Sequence, residues 1–278
     1  MITKRDKIAA ILRTVLIGVI ALFFTIPLIW MVCTSLKTDP EVFAKDWKWL
    51  PNVAQWGNYA SVWTNPDAPM ARSFVNSFFV VFWSILGQLS FASLAAYAFA
   101  KIDFKGKNAV FALFLASMMV PSQVTIIPRF MLFKTVGLYN SLWAIILPNL
   151  FGASTMFMLR QFYMGLPDDL VEAAKIDGAG QVRIFAQIML PLTLAAVVSM
   201  FILTFISCWN EYLAPLIFLI DKRKFLVSQV IRWYMDEDSD PTHLIMTAST
   251  IALIPTIILF ISGQKYFVEG IATSGVKG

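Results

Sequence analysis

SFVNSFFVVFWSILGQLSFASLAAYAFA, residues 73–100, runs for 28 residues without a charged side chain. As an α-helix it is about 42 Å long at 1.5 Å per residue. A bilayer's hydrocarbon core is about 30 Å thick and needs roughly 20 apolar residues to cross. The stretch is therefore predicted to span a membrane. Five more windows without Asp, Glu, Lys, Arg or His each hold 21 or more residues: 14–36, 108–128, 135–159, 184–210 and 244–264. Six windows predict an all-α integral membrane fold with six transmembrane helices, in one domain over 1–278. The stretch 49–66 is uncharged but rich in Pro, Asn, Gln and Gly, so it reads as loop. The run 212–220 is too short to cross and reads as a shoulder on the fifth span.

Composition agrees. Hydrophobic residues make up 58% of the chain and charged ones 14%, against about 25% charged in soluble domains. Mean hydropathy is +0.71. The net charge of +5 does not point to nucleic acid, because no basic run carries interleaved aromatics. In a membrane protein Lys and Arg set topology and meet anionic head groups. Cys33 and Cys208 lie inside apolar segments, and His243 is the single histidine. Neither a disulfide framework nor a metal site is expected. Lys4, Arg5, Lys7 and Arg13 resemble the basic start of a signal peptide. The apolar run that follows is too long for one and lacks a small-x-small cleavage site, so it reads as an uncleaved first span.

Six spans put both termini on one side. Short basic segments mark the inside. KIDFKGK, residues 101–107, packs three lysines into seven positions. Both termini are thus expected to be cytoplasmic, with inner loops 101–107 and 160–183 and outer loops 37–72, 129–134 and 211–243.

The inner stretch LPDDLVEAAKIDGAGQVRIFAQIMLPL, residues 166–192, is the most informative. Pro167 breaks any helix arriving from the fourth span. Asp169 and Glu172 have the spacing of an N-cap and its N3 partner. Residues 170–177 give about two turns, and Gly178 stands where a left-handed glycine would close them. Leu170, Ala173, Ala174 and Asp177 share a face that the alanines keep shallow. Val182, Phe185 and Met189 mark one side of a second amphipathic stretch. Two readings stay open on spacing alone: a docking helix, or a lid over the inner end of the bundle.

Glu172-Ala173-Ala174, then Gly178, Ile188 and Leu190-Pro191 resemble, position for position, the EAA motif of importer permeases of the ATP-binding-cassette superfamily. Further similarity runs through Asn76–Lys107, Pro121, Ile127-Pro128, Gly137-Leu138-Tyr139-Asn140-Ser141, Trp209-Asn210-Glu211-Tyr212, Phe267-Val268-Glu269-Gly270 and the Gly275-Val276-Lys277-Gly278 tail. Together they look most like the maltose-type carbohydrate branch. The resemblance implies a type I importer permease fold in the bacterial cytoplasmic membrane. It implies a second permease subunit, two ATPase subunits and an extracytoplasmic solute-binding protein as partners. It makes 160–190 the loop that docks on an ATPase, with Asp169, Glu172, Ala173, Ala174, Gly178, Ile188, Leu190 and Pro191 as coupling residues. For the tail 265–278 the resemblance implies a reach toward the ATPases, and a disordered terminus is the other reading.

The chain contains no GxxxxGK[ST]; Lys105-Gly106-Lys107 lacks the first glycine and the hydroxyl residue. No cofactor is expected on this chain and no catalytic residue is assigned. ATP and Mg are expected to act on the partner ATPase. Polar residues inside apolar windows are candidates for the solute path or for helix packing: Asn76, Gln88, Gln123, Asn149 and Asn210, with Glu211 at the outer end of the fifth span; Trp209 reads as a sugar-stacking or an interfacial belt residue. The 211–243 loop, with Lys222, Arg223 and Lys224 opposite Asp236, Glu237, Asp238 and Asp240, fits a binding-protein contact or a solvated loop. The same superfamily imports other solutes, such as glycerol phosphate or polyols, and the spans do not discriminate. A secondary transporter would want ionisable residues near the midplane, and the six windows exclude them by definition. An intramembrane enzyme would want a Ser/His or paired-Asp arrangement inside a span, and none is present.

Overall fold

The computed structural model describes residues 4–46, 48–236 and 241–275. Among these every regular element is helical. In chain order the helices are α1 (Lys4–Ser35), α2 (Asp39–Val42), α3 (Gly57–Thr64), α4 (Met70–Lys101), α5 (Lys107–Met118), α6 (Ile126–Thr135), α7 (Trp143–Asn149), α8 (Ala153–Met164), α9 (Asp169–Ile176) and α10 (Gln181–Ile184). A π-helical turn (Phe185–Met189) follows, then α11 (Leu190–Leu192), α12 (Leu194–Trp209), α13 (Leu213–Phe218), a 3₁₀ turn (Lys222–Lys224), α14 (Val227–Met235) and α15 (Thr242–Gly275).

Three helices are long and apolar enough to cross a membrane: Lys7–Ser35, Met70–Lys101 and Thr242–Lys265. They match the windows 14–36, 73–100 and 244–264. The other three windows are interrupted. In 108–128 the helix α5 stops at Met118 and α6 starts at Ile126, with Pro121 in the gap. In 135–159 the break falls after α7, whose penultimate residue is Pro148, and Gly152 is extended at φ −107°, ψ 99°. In 184–210 two pieces, Gln181–Leu192 and Leu194–Trp209, meet at 77°. Pro191 cannot donate to the carbonyl four residues back and crowds it. The wide turn Phe185–Met189 accommodates this, and the Thr193 hydroxyl donates to the Met189 carbonyl at 3.0 Å. Discontinuous helices of this kind persist in membranes only where protein or a cavity meets the freed backbone.

Two sequence expectations are corrected. The 49–66 stretch holds a helix, α3, whose Val62 is fully buried. Residues 129–134, expected as an outer loop, are helical within α6, because Pro128 falls in its first turn, where no donor is needed. The 212–220 shoulder is α13, which packs on α6 and α7.

Contacts group the described residues into two units: those within Met1–Met70 with Val230–Leu253, and those within Ala71–Gln229 with Ile254–Gly278. In the first unit, α1 exposes Leu16, Ile17, Phe23 and Phe24, as a lipid-facing helix must. Its end is pinned by polar bonds. Asn58 donates to the carbonyls of Ser35 and Lys37, both at 2.9 Å. Thr247 donates to the Ser35 carbonyl at 3.0 Å, and Asp39 meets His243 at 3.0 Å.

The second unit has two apolar cores. One joins Ala92, Ala96 and Tyr97 of α4 to Leu159 and Tyr163 of α8, Val171 and Ala174 of α9, and Ile184, Met189 and Ala196. Small residues on the inner face of α4 allow this close approach. The other joins Val80 and Phe133 to Ile145 and Ile146 of α7 and Phe218 of α13. Asn140, at φ +57°, ties these elements: its side-chain oxygen accepts from the backbone N–H groups of Ile220 and Asp221, both at 3.1 Å.

Candidate functional site

Two places carry the residues singled out in the sequence. The first is the 166–192 segment. Its helix α9 ends in a complete Schellman closure. The Ala179 N–H donates to the Ala174 carbonyl at 2.9 Å and the Gly178 N–H to the Lys175 carbonyl at 3.0 Å. Gly178 sits at φ +77°, where a side chain is strained. The start differs from the expectation. Asp168, not Asp169, occupies the N-cap position, and no side chain caps the helix. The Asp168 carboxylate is engaged elsewhere, accepting from Lys101 Nζ at 2.5 Å. Lys101 also donates to the Leu166 carbonyl at 2.6 Å, and its side chain is only 3% exposed. The end of α4 is thereby tied to the entry of α9.

The faces of α9 also differ in part. Ala174 turns inward with Val171 onto the core, while Asp169, Glu172, Ala173 and Gly178 are exposed. Leu170 and Asp177 stay on the open side. Ile176 is 87% exposed and Val182 is 82% exposed, flanking the Gly178 turn. Val182 thus points away from Met189, and Ile184 takes the buried position instead. Ile188 and Leu190 are half-buried and Pro191 is exposed. The helix is therefore a rigid knob: one side packed into the bundle, the other open.

The hydrogen bond from Lys101, and then its charge, hold the Asp168 carboxyl below the usual carboxylate range. A depressed folded-state pKa stabilises above the unfolded value and is lost as pH falls through the folded one. The α4–α9 tie is therefore expected to hold at neutral pH and to loosen only below the ordinary Asp range. A spin label at Ile176 checks this: its mobility should rise in acid in the wild type and be high and pH-independent in Asp168→Asn. Asp168 is solvent-exposed, so the effect on overall stability is small.

The second place is polar. Ser122, Arg129, Asn149 and Glu211 line one cleft of about 190 Å³ with Ile126, Ile145, Leu213 and Ala214. Gln88, Asn149, Thr155, Thr204 and Ser207 line another of about 310 Å³. Asn149 borders both. Gln88 donates to the Thr155 hydroxyl at 2.7 Å. It lies hard against Gly152, where a Cβ would fall 2.4 Å from Gln88 Nε2; the glycine in the helix break lets Gln88 in. The remaining candidates separate. Asn76 donates to the carbonyls of Arg223 and Phe225, both at 3.0 Å, and holds a loop. Trp209 is 4% exposed among Phe74, Phe78 and Phe205. Asn210 donates back to the Ile206 carbonyl, and Gln123 is exposed in the gap before α6.

Sequence reasoning missed Arg129. The windows were defined by lacking charge, and the loop 129–134 was drawn around it. Its signal was the Pro128-Arg129 step, which places a charge in the first turn of a helix with no other charge before Lys134. Glu237, Asp238, Asp240 and the Val276-Lys277-Gly278 tail lie outside the described residues.

The fold is that of a membrane permease with interrupted helices around polar clefts and a knob on one inter-helix segment. The solved chain from a bacterial ABC transporter that imports the acidic polysaccharide alginate has this fold: TM-score 0.81 at 23% identity, over 96% of this chain and 99% of that one. Residues 88–273 match the family model described as binding-protein-dependent transport system inner membrane component. The sn-glycerol-3-phosphate transport system permease protein UgpE of Yersinia pestis bv. Antiqua (strain Antiqua) is 32% identical over 93% of this chain and 94% of its own. The arabinooligosaccharides transport system permease protein AraQ of Bacillus subtilis (strain 168) is 32% identical over 95% of each. The probable ABC transporter permease protein YurM of the same strain is 32% identical over 91% of this chain and 83% of its own. The chain belongs to the binding-protein-dependent inner membrane component family. It is the permease component of an ATP-binding-cassette importer, a multi-pass membrane protein that works with other components of the transporter.

Proposed function

We propose that this chain is one of two permease subunits that carry a sugar or oligosaccharide across the bacterial cytoplasmic membrane. The solute is delivered by an extracytoplasmic binding protein. Two separate ATPase subunits bind ATP and Mg, and α9 docks on one of them. In this reading 1–278 is one membrane domain that crosses six times, with both termini cytoplasmic.

The observation that carries the proposal is the knob. Glu172, Ala173, Ile176 and Val182 face outward, while Val171 and Ala174 are buried in the core shared with α4, α8 and α12. A helix seated this way moves with its bundle as one body, so a push on its open face reaches the membrane helices. Two exposed aliphatic side chains beside a tight turn suit burial in a protein cleft better than contact with water. A non-sugar solute, such as glycerol phosphate or a polyol, is the second reading. It is favoured by the likeness to a glycerol-phosphate permease.

The test is purification of the chain with its bound partners and reconstitution into vesicles. ATP-dependent accumulation of a labelled neutral oligosaccharide is expected, insensitive to a protonophore. Accumulation of sn-glycerol-3-phosphate alone would favour the second reading. Uptake that collapses with a protonophore and survives ATP removal would overturn both.

A further inference from the structure

Resting on the permease reading above, we propose that the cleft between Arg129 and Glu211 is a solute subsite for an uncharged, polyhydroxylated solute, with Arg129 as a specificity-determining residue.

Three separated segments converge on this cleft: Ser122 to Arg129, Ala144 to Asn149, and Glu211 to Ala214. Arg129 is unusual in it. Its Nε is buried with no hydrogen-bond partner, and Arg129 has no ion-pair partner within 4.0 Å among the described residues. A buried donor left unmet costs free energy, more so when charged, and each such group in a native structure asks for a reason. The guanidinium lies 5.3 Å from the centre of the Phe218 ring. That is within cation–π range, and Phe218 is itself fully buried in the second core. The group rests beside an apolar base, feels the opposite charge of Glu211 across the cleft, and keeps its buried Nε without a hydrogen bond.

Glu211 is held in place. One carboxylate oxygen accepts from the Ala214 N–H at 3.0 Å. Its backbone carbonyl accepts from the Ser228 hydroxyl at 2.7 Å. The other carboxylate oxygen has no hydrogen-bond partner among the described residues. One pre-set donor and one pre-set acceptor thus border the same small space with opposite charge.

That combination selects a chemistry. A hydroxyl group both donates and accepts, so a sugar satisfies Arg129 and Glu211 together. Leu213, Ala214 and Ile145 offer an apolar wall for the C–H face of a ring. An anionic solute gains at Arg129 and loses at Glu211, and a cationic one does the reverse. The cleft's 190 Å³ is smaller than its neighbour's 310 Å³. It suits one ring at a time, handed past Asn149 toward Gln88 and Thr155. Asn149, which borders both clefts, is the last residue of α7, just before the helix break at 150–152.

The test uses the whole transporter in vesicles with four labelled probes: maltotriose, arabinotriose, sn-glycerol-3-phosphate and a trimer of galacturonate. The wild type is expected to accumulate a neutral probe. Arg129→Gln should raise its KM at least about tenfold with the transporter still assembled, the loss of one strong hydrogen bond. Arg129→Lys should recover only part, because a point charge cannot reproduce the planar fork. Glu211→Gln leaves the cleft net positive and should admit an anionic probe that the wild type rejects. Accumulation of anionic probes alone by the wild type overturns the assignment. So does an unchanged KM in both Arg129→Gln and Glu211→Gln, which leaves the permease reading standing. Arg129→Gln that instead loses the second permease on purification assigns Arg129 to the subunit contact and also overturns it. If no probe is accumulated and none binds the purified complex in equilibrium dialysis, the subsite and the sugar reading fail together.

Discussion

Gly178→Pro is expected to abolish ATP-driven uptake while the chain still inserts in the membrane. Gly178 ends α9 at φ +77° and donates its N–H to the Lys175 carbonyl. Proline has no N–H and locks φ near −65°. Both features of the closure are lost, and the Ala179-to-Ala174 bond that completes it cannot form with the chain redirected. A misplaced proline costs about 3 kcal/mol or more, enough to unravel a two-turn helix that cannot stand alone. The long membrane helices do not depend on that turn. Gly178→Ala makes a graded control: a Cβ there meets nothing within 4 Å, so only the left-handed strain of about 1–2 kcal/mol remains. Glu172→Lys separates docking from folding. The Glu172 side chain is exposed and bonds to nothing among the described residues, and a cation in the first helical turn costs about 0.3–1 kcal/mol. If α9 docks on an ATPase, this change should leave the permease intact, lower uptake strongly and separate ATP hydrolysis from transport. Uptake assays with membrane-fraction blots decide the matter, and wild-type uptake by both Gly178→Pro and Glu172→Lys would rule out the docking role.

Trp209→Ala is expected to cost the purified protein about 3–5 kcal/mol of stability, the usual range for emptying a buried aromatic site. Trp209 is stacked on Phe205 at 5.6 Å with the rings 10° apart, and meets Phe78 at 5.0 Å and Phe74 at 5.5 Å. Those rings join α12 to the first half of α4. Lipid chains are as apolar as the core, so the loss is chiefly one of packing contacts, the main force between membrane helices. Trp209→Phe should keep most of the stability. Thermal unfolding in detergent measures both. A Trp209→Ala protein with unchanged stability and impaired uptake would return Trp209 to the solute path.

The candidate polar residues show why spacing could not sort them. Asn76 and Gln88 are twelve residues apart on one helix and look alike in sequence. Asn76 holds a backbone loop about 150 positions later, and Gln88 reaches into a helix break at Gly152. Their partners are distant in the chain, so periodicity carries no record of them. Asp168 is similar. Local rules make it or Asp169 a cap, but Lys101, 67 residues away, takes its carboxylate.

Bilayer arithmetic determined, from the sequence alone, the long helices over the windows 14–36, 73–100 and 244–264, because uninterrupted apolar length is a local property. Local spacing also determined the two-turn helix and its left-handed glycine, because the C-terminal closure is set within a few residues, whereas the start of the helix is not. Only the tertiary structure decided where the other apolar windows break, which face of α9 turns inward, and that Arg129 and Glu211 share a cleft. Prolines 121, 148 and 191 weaken a helix, but whether it breaks depends on what meets the freed backbone. A charge lying outside every apolar window is revealed as a cleft residue only when helices remote in sequence close around it.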